Sequence, residues 1–570
     1  MFGLLQAADH VFPALGLESR LFNGLVLASL LGFPLVVALA WTFDVTKEGI
    51  RRTGPVGQGS HGMAPDRWGR LKAALVGGAF VAVIWLGARL WQPAGTGDHD
   101  PVPVDAPVLA VLPFADFSPG GDQAYFADGL HEELLHQLAQ IPGIRLTSRT
   151  SLSHFKGSSA TVAAIADSLG ARYVMEGSVR TAADSVQITV QLIDAAADEH
   201  LWSESYPRLL TLDGLFDLQR TLAMRVAGSL GGTLTEGRSR TLGTAPTSSL
   251  EAYNAYLRAL HQWNQSDIDN WWSAVDELER ALALDQKFGR AHAQLALLLA
   301  ALNNYGGRTQ GELFPRIEEH AAAAIRLAPN DPESHMAQMA VDWPVEWKWQ
   351  EAREDIEATL ELDPDYIDAI WALAEWHGVI AGNTDRGLEV LHGVDVLDPF
   401  SAQVRIMRIW ILMNGRRFDE AAEEGRRLLE LEPTNMSAAL MRISSLALAG
   451  RTEEARQELA PVLEAMPSPL PVTMSVHLAR TGDAKRAREV LSNAVALKES
   501  GGSVPASGIA AGYAALGEVD TALDWLERSF ADEGGIYYLR SPDWDALAGT
   551  RRFQALWERV GLPGERPASL

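Results

Sequence analysis

"LDPDYIDAIWALAEWHGVIAGNTDRGLEVLHGVDVLDPF", Leu362–Phe400, begins and ends on the same Leu-Asp-Pro signature, with Pro364 and Pro399 35 residues apart. Proline removes an amide donor and crowds the preceding turn, so such a signature after an apolar run marks the end of a helix. Comparable marks stand on either side: "LAPND" at Pro329, "LEPTN" at Pro433 and "MPSPL" at Pro467. The successive spacings are 35, 35, 34 and 34. An earlier unit closes at "LALDQKF", near Asp285, and the Gly-rich insert "LNNYGGRTQGE" lengthens the gap after it. A period of this length marks stacked helical units, each burying its apolar face only against its neighbours.

Thirty-four residues is the tetratricopeptide (TPR) length. The side chains agree. Two helices that cross closely need a small residue at the contact, and Ala274, Ala352, Ala421, Ala455, Ala487 and Ala522 supply it. Ala281 and Ala494 follow seven residues after the first and fifth of these, and Ala510 and Tyr513 extend the pattern into a last unit. The predicted array of roughly eight units runs over 250–535, with 536–570 as a capping segment. Such arrays present a concave groove to an extended peptide or a partner helix. Trp263, Trp271, Trp272, Trp343, Trp347, Trp349, Trp371 and Trp376 are dense along the first units, and most of them read as packing residues. Trp271, Trp272, Trp347, Trp371 and Trp376 are the candidate groove anchors, since tryptophan carries much binding energy at interfaces. Acidic runs such as "EAREDIEATLELDPD" read as solvated helix faces that favour a basic partner.

The chain has 570 residues, too many for one core. A formal net charge of −25 argues against a nucleic-acid partner, which demands a basic face. The absence of cysteine removes disulfides, thiol nucleophiles and cysteine–zinc sites together.

Two uncharged runs lie near the start. Leu21–Phe43 reads "LFNGLVLASLLGFPLVVALAWTF" and spans roughly 34 Å as a helix, enough for a hydrocarbon core of about 30 Å. Ala73–Trp91 reads "AALVGGAFVAVIWLGARLW", about the minimum spanning length, with Arg89 placed to snorkel. Both are predicted transmembrane helices. Between them, 44–72 carries Lys47, Arg51, Arg52, Arg67, Arg70 and Lys72, whereas the linker 92–107 has no Lys or Arg. The positive-inside rule puts the short loop in the cytoplasm and both ends outside. The expected location is therefore the inner membrane, multi-pass, with the C-terminal domains in the periplasm. Gly77 and Gly78 permit helix pairing in the bilayer, and so a homo-oligomer.

From Val108 the pattern becomes mixed. "VLAVLPF", "IRLTSR", "RYVMEGSVR", "VQITVQLID" and "EHLWSESY" read as strands, separated or closed by amphipathic helices. An α+β domain follows over 108–235, with its helices on one side of a mixed sheet. "DGLHEELLHQL", Asp128–Leu138, resembles a zinc-peptidase box. In that box, however, two histidines lie four residues apart on one helix face. His131 and His136 are five apart, roughly 140° around a helix, and diverge. Leu130, Leu134, Leu135 and Leu138 supply the buried stripe, so His131, Glu132 and His136 are expected on an exposed polar face.

"VLPFADFSPGGDQAYFADGLHEELLHQL", "LTSRTSLSHFKG", "ARYVMEGSVRTAADSVQITVQLIDAAADEHLWSESYPR" and "LFDLQRTLAMRVAGSL" closely resemble the TolB-like N-terminal (FlgO-like) domain of bacterial membrane-anchored TPR proteins. "FDVTKEGIRR" resembles the juxtamembrane motif of the same proteins. The resemblance covers about Val108–Leu230 and implies an α/β domain between a membrane helix and a TPR array. It carries no catalytic residue, cofactor or metal ligand. Residues 1–20 resemble part of a further membrane helix of that family, whose members often bear a cytoplasmic DNA-binding or cyclase domain upstream.

The sequence thus describes a multidomain protein: two transmembrane helices, a TolB-like α+β domain and an all-α TPR superhelical solenoid. The expected function is a non-catalytic scaffold or sensor that binds protein or peptide partners through the groove, anchored in the lipid bilayer. The alternative is the sensory part of a transmembrane transcriptional regulator or cyclase-type receptor. A metal-dependent hydrolase, with only His131, Glu132 and His136 to offer, ranks last. A periplasm-active reporter fused after Leu570 is expected to be active, and the same reporter inserted in 44–72 silent; the reverse pattern inverts the topology.

Overall fold

The computed structural model describes residues 43–46, 49–52 and 107–564. Within the last range it leaves out 121–122, 140, 142, 156–157, 159, 183–184, 232–243, 266, 306–309, 344–345, 467 and 533–535. The chain divides into two compact units, residues 1–98 and 99–570. In the first, β1 (Phe43–Thr46) and β2 (Gly49–Arg52) pair antiparallel, from Phe43 opposite Arg52 to Thr46 opposite Gly49. The two expected spans lie outside the described residues, apart from Phe43. Among the described residues no helix is long and apolar enough to cross a membrane.

The second unit begins with the α/β domain. Its elements are β3 (Val108–Val111), β4 (Ala115–Asp116), α1 (Ala124–Ala139), β5 (Arg145–Leu146), α2 (Arg149–Ser153), α3 (Val162–Leu169), β6 (Tyr173–Ala182), β7 (Ser185–Asp194), β8 (Glu199–Leu209) and α4 (Leu212–Leu230). The strand order is β5-β3-β6-β7-β8, with β4 pairing with β6 off this path. β3 runs parallel to β5 and β6, and β6, β7 and β8 form an antiparallel meander. Strand side chains alternate between faces. Leu109, Val111 and Met175 therefore join the core under α1 and α4, while Val108, Ala110 and Val174 join a second cluster with Leu152 of α2 and Ile165 and Leu169 of α3. Helices thus cover both faces around β3, not one as the sequence suggested. α3 is only eight residues long, but its apolar side chains are buried against the β3–β6 face. Over β7 the alternation is clean, with Val186, Ile188, Val190 and Leu192 turned inward.

Eight helix pairs follow: α5 (Leu250–Trp263) with α6 (Ile268–Leu284), α7 (Gly289–Tyr305) with α8 (Gln310–Leu327), α9 (Pro332–Asp342) with α10 (Trp349–Leu362), and α11 (Ile367–Glu375) with α12 (Thr384–Leu397). Next come α13 (Ala402–Asn414) with α14 (Phe418–Leu431), α15 (Met436–Leu448) with α16 (Thr452–Ala465), α17 (Met474–Arg480) with α18 (Ala484–Glu499), and α19 (Ala506–Ala515) with α20 (Val519–Asp532). A π turn, Trp376–Ile380, prolongs α11. The fold is a TPR-like solenoid. α10 and α12 stop one residue before their Asp-Pro, and α14 one residue before Glu432-Pro433. Ala274, Ala352, Ala421, Ala455, Ala487 and Ala522 are all 0% exposed, as closely crossed helices require. Side-chain caps at Ser249, Asp267, Asp331, Asn383, Ser401, Asn435 and Asp483 satisfy amides at the helix starts.

The end of the chain does more than cover the last pair. The 3-10 turn Pro542–Trp544 and α21 (Arg551–Val560) join a core that contains both α19 and α20 and the distant α9, α10 and α11. Trp544, 1% exposed, sits in that core with Trp343, Trp349 and Trp376. The array therefore closes on itself. Trp544→Ala is expected to remove about 3–5 kcal/mol of stability, as a truncated core aromatic does. Urea denaturation checks this, with exposed Leu209→Ala as the silent control.

Candidate functional site

The first helices of successive pairs form one wall, and α1 lies across it. The approach is closest at Gly129, where a Cβ would come within 2.7 Å of Leu257 Cδ2 on α5. Nearby, Phe216 of α4 meets Tyr253 of α5 with ring centroids 5.1 Å apart. This proximal half of the seam is apolar and shares one core with the sheet.

The distal half is charged. Asp128 accepts from His261 Nδ1 at 2.8 Å, and Glu132 accepts from Asn264 at 3.2 Å and pairs with Arg149 at 3.2 Å. Arg290 of α7 donates to Glu133 at 2.7 Å and to Asp331, the N-cap of α9, at 2.6 Å. His136 Nδ1 lies 3.4 Å from Glu333 Oε1. Arg145 reaches Asp365 at 3.5 Å. Ser151 Oγ donates to Asp398 at 2.7 Å, Ser148 Oγ donates to the same carboxylate, and the Ser148 amide donates to Leu397 O at 2.8 Å. Phe155 packs on Phe400, with ring centroids 6.1 Å apart.

Burial governs the protonation of this half. It pushes Asp363 up to about 7 and raises Glu132 and Asp365. Burial also raises Asp331, and the charge of Glu333 adds to it. For His136, burial and then Arg290 oppose the proton, but Glu333 and Asp331 outweigh them and the imidazole is raised. Burial works against ionised Glu333 too, yet His136 and the hydrogen bond with Asp331 hold it well below its usual range.

His131, Glu132 and His136 do not converge. His131 Nε2 donates to Val111 O at 2.7 Å, under the sheet, whereas His136 faces Glu333 on the array. The expectation of an exposed polar face is overturned for part of the helix. His131, Glu133 and Gln137 are 3%, 2% and 4% exposed, because β3 covers one side of α1 and the array the other. Among the described residues, His136, Asp331 and Glu333 are the one group whose donor atoms all lie close enough for a metal, within 4.8 Å of one another. Asp331 already spends one oxygen on Arg290 and the other on the Glu333 amide, at 3.3 Å. With a guanidinium in contact, the group is an ion-pair network. Arg290 and Asp331 were not singled out from the sequence; no motif surrounds them, and only the "LAPND" helix-end mark includes one of them.

The tryptophans fall into two separate cores. Trp271 and Trp272 are half-buried beside the first pairs, and Trp271 Nε1 donates to Trp263 O at 3.1 Å. Trp347, Trp371 and Trp376 belong with the closing core. Trp376 is 7% exposed and donates to Trp349 O at 3.1 Å, and Trp347 packs on Phe530 at 5.8 Å. The chain's own end fills the space they face. Tyr537 Oη donates to Glu375 at 3.0 Å, Arg540 Nε to Ile380 O at 3.0 Å, and Trp349 Nε1 to Val560 O at 2.8 Å. Burial pushes Glu375 up to about 7, with Tyr537 working against it.

Residues 105–224 match the family described as HilA/YgeH-like transcriptional regulator, second domain. Over 259 residues the chain is 30% identical to a Rhizobium meliloti (strain 1021) protein named putative adenylate cyclase 3, a match that takes in 45% of this chain and 44% of that protein. The chain thus spans less than half the length of that curated relative. Among solved structures, the LpoB C-terminal domain from Salmonella enterica is 26% identical and covers 18% of this chain and 82% of its own, with a TM-score of 0.16. A tetratricopeptide repeat protein from Parabacteroides merdae is 13% identical and covers 44% of this chain and 93% of its own, with a TM-score of 0.32.

Arg290→Ala would strand Glu133 and Asp331 without their cation. A broken buried pair typically removes about 3–5 kcal/mol. The expected result is a lower urea midpoint, restored only in part when Glu133→Leu is combined with Arg290→Met, because Asp331 still lacks its cation.

Proposed function

We propose that this chain is the non-catalytic sensing and scaffolding part of a membrane-anchored signalling protein, binding protein partners on the periplasmic side of the inner membrane. One observation carries the reading: the wall of the TPR-like, protein-binding array already holds a helix, α1, through buried charge pairs. The array recognises protein in cis, and the other helix faces are left for partners. Leu431 and Met436, 55% and 40% exposed, mark one such face beyond the α/β domain. The resemblance of Val108–Leu230 to TolB-like domains and the two uncharged segments, 21–43 and 73–91, support the envelope location.

The second reading, the sensory part of a transcriptional regulator or cyclase-type receptor, is favoured by the regulator family and the protein named a putative cyclase in the comparisons. The match to residues 105–224 falls on the α/β domain, and 259 residues resemble the protein named a cyclase. The two readings share a non-catalytic chain and differ in whether an output domain acts with it.

Purified full-length chain in detergent, given ATP and magnesium, is expected to form no cyclic AMP; turnover that scales with protein would overturn the non-catalytic reading. A photo-crosslinking residue at Met436 in living cells is expected to capture exported proteins. Capture of cytosolic proteins alone would refute the periplasmic assignment.

A further inference from the structure

The sheet of the α/β domain has a notch. β3 leaves β6 after Val111, which pairs with Met175, and the chain rejoins β6 at Ala115, opposite Ser178. The Leu112 amide still donates to Met175 O at 2.8 Å, and the Phe117 amide to Val179 O at 2.8 Å. Between these contacts Glu176 and Gly177 have no residue of β3 or β4 in register beside them. The notch lies where the connections part. From β3 the chain goes through α1 to β5 on one side, and from β6 it turns to β7 on the other. In open α/β sheets, ligands bind in crevices at the carboxyl ends of strands where the connections diverge. Here a cleft of about 590 Å³ opens at the notch, within the roughly 300–1,000 Å³ of small-molecule sites. Glu176 and Ser178 on β6 stand opposite Gln191 and Thr189 on β7, and alternation puts all four on one face of the sheet. Asp116 and Asp128 add carboxylates to the cleft, and Phe117, 60% exposed, and Phe155 add aromatic rings.

Among the described lining residues there is no Lys or Arg, so an anion finds no counter-charge. The carboxylates are already engaged by donors. Asp116 accepts from the amides of Ser118 at 2.8 Å and Gln123 at 3.1 Å, Asp128 from His261 Nδ1 at 2.8 Å, and Glu176 from Gln191 Nε2 at 2.6 Å. These bonds hold the carboxylates in place and temper their charge. An ionised carboxyl group has about four lone-pair sites, so each retains acceptor capacity. Thr189 Oγ1 and Ser205 Oγ share a bond of 2.8 Å, which fixes the Thr189 hydroxyl. Fixed acceptors interleaved with hydroxyls and an amide suit a ligand that both donates and accepts along its whole length. An exposed ring suits that ligand's C–H face. We propose that this cleft binds a neutral polyhydroxylated ligand, a sugar ring or short oligosaccharide. Glu176, Ser178, Thr189 and Gln191 meet its hydroxyls, and Phe117 lies against its C–H face. The inference does not depend on the proposed function.

Full-length chain, in a detergent without a sugar headgroup, is titrated by calorimetry with maltotriose, with the N-acetylglucosamine trimer, with spermidine and with citrate. Saturable binding of at least one of the two saccharides is expected, and none of spermidine or citrate. In Phe117→Ala and in Ser178→Leu the saccharide is expected to bind about tenfold more weakly, the effect of losing one aromatic or hydrogen-bonding contact. Phe117 is exposed and Ser178 half-buried, so both variants are expected to keep the parent's thermal transition. Failure of both saccharides to bind the parent overturns the inference. So does saccharide binding that survives either substitution in a folded chain, which places it elsewhere. Spermidine or citrate binding that the same substitutions abolish also overturns it, since the cleft is then an ion site. Should Ser178→Leu not fold, Phe117→Ala decides alone.

Discussion

The guanidinium of Arg290 is shared between Glu133 on α1 and Asp331 at the start of α9, and much else follows from that sharing. An ion taken out of water loses several kcal/mol of solvation, which is recovered only when its partners meet it in good geometry. α1 therefore has one acceptable setting on the wall of first helices. In that setting His136 falls on Glu333, Glu132 on Asn264, and the β5–α2 segment on Asp365 and Asp398. A purely apolar contact would tolerate sliding. The charged one fixes the angle at which the sheet stands on the array.

The second constraint is closure of the array. Alanines at the helix crossings let the pairs approach closely and bring the eighth pair beside the third and fourth. The segment around Trp544 then enters the remaining space, and Arg416 pairs with Asp545 while Arg480 pairs with Asp543 at 2.6 Å. A repeat array is usually an open row in which each unit meets only its neighbours. Here contacts such as Tyr537 to Glu375 span more than a hundred residues of sequence. The α/β domain lies on the first helices of the early pairs, and the C-terminal segment packs against the third, fourth and eighth pairs.

Much of this was legible in the sequence because it is local or periodic. Proline cannot continue a helix, so Pro364, Pro399 and Pro433 mark helix ends without any tertiary information. The crossing alanines repeat because the same contact repeats. Alternation along "VQITVQLID" identified a strand with one buried face. The divergence of His131 and His136 followed from helical pitch alone. The candidate site was not legible in the same way. A polar face on a helix reads as solvent-facing, and only a second domain laid over it turns His131, Glu133 and Gln137 into buried groups. The tryptophans could be sorted into packing and anchoring roles only once their neighbours were known.

By itself, then, the sequence determined where helices begin and end, the repeat length and the inward face of each strand, because backbone geometry and apolar periodicity act over a few residues. The tertiary structure alone decided that α1 lies on the array, that Arg290 joins three helices, and that the chain's end fills the closing core. Those contacts join residues 157, 162 and 211 positions apart, Glu133 to Arg290, Glu375 to Tyr537 and Trp349 to Val560. No local rule links such distant groups, and their partners become partners only after the array has curved back on itself.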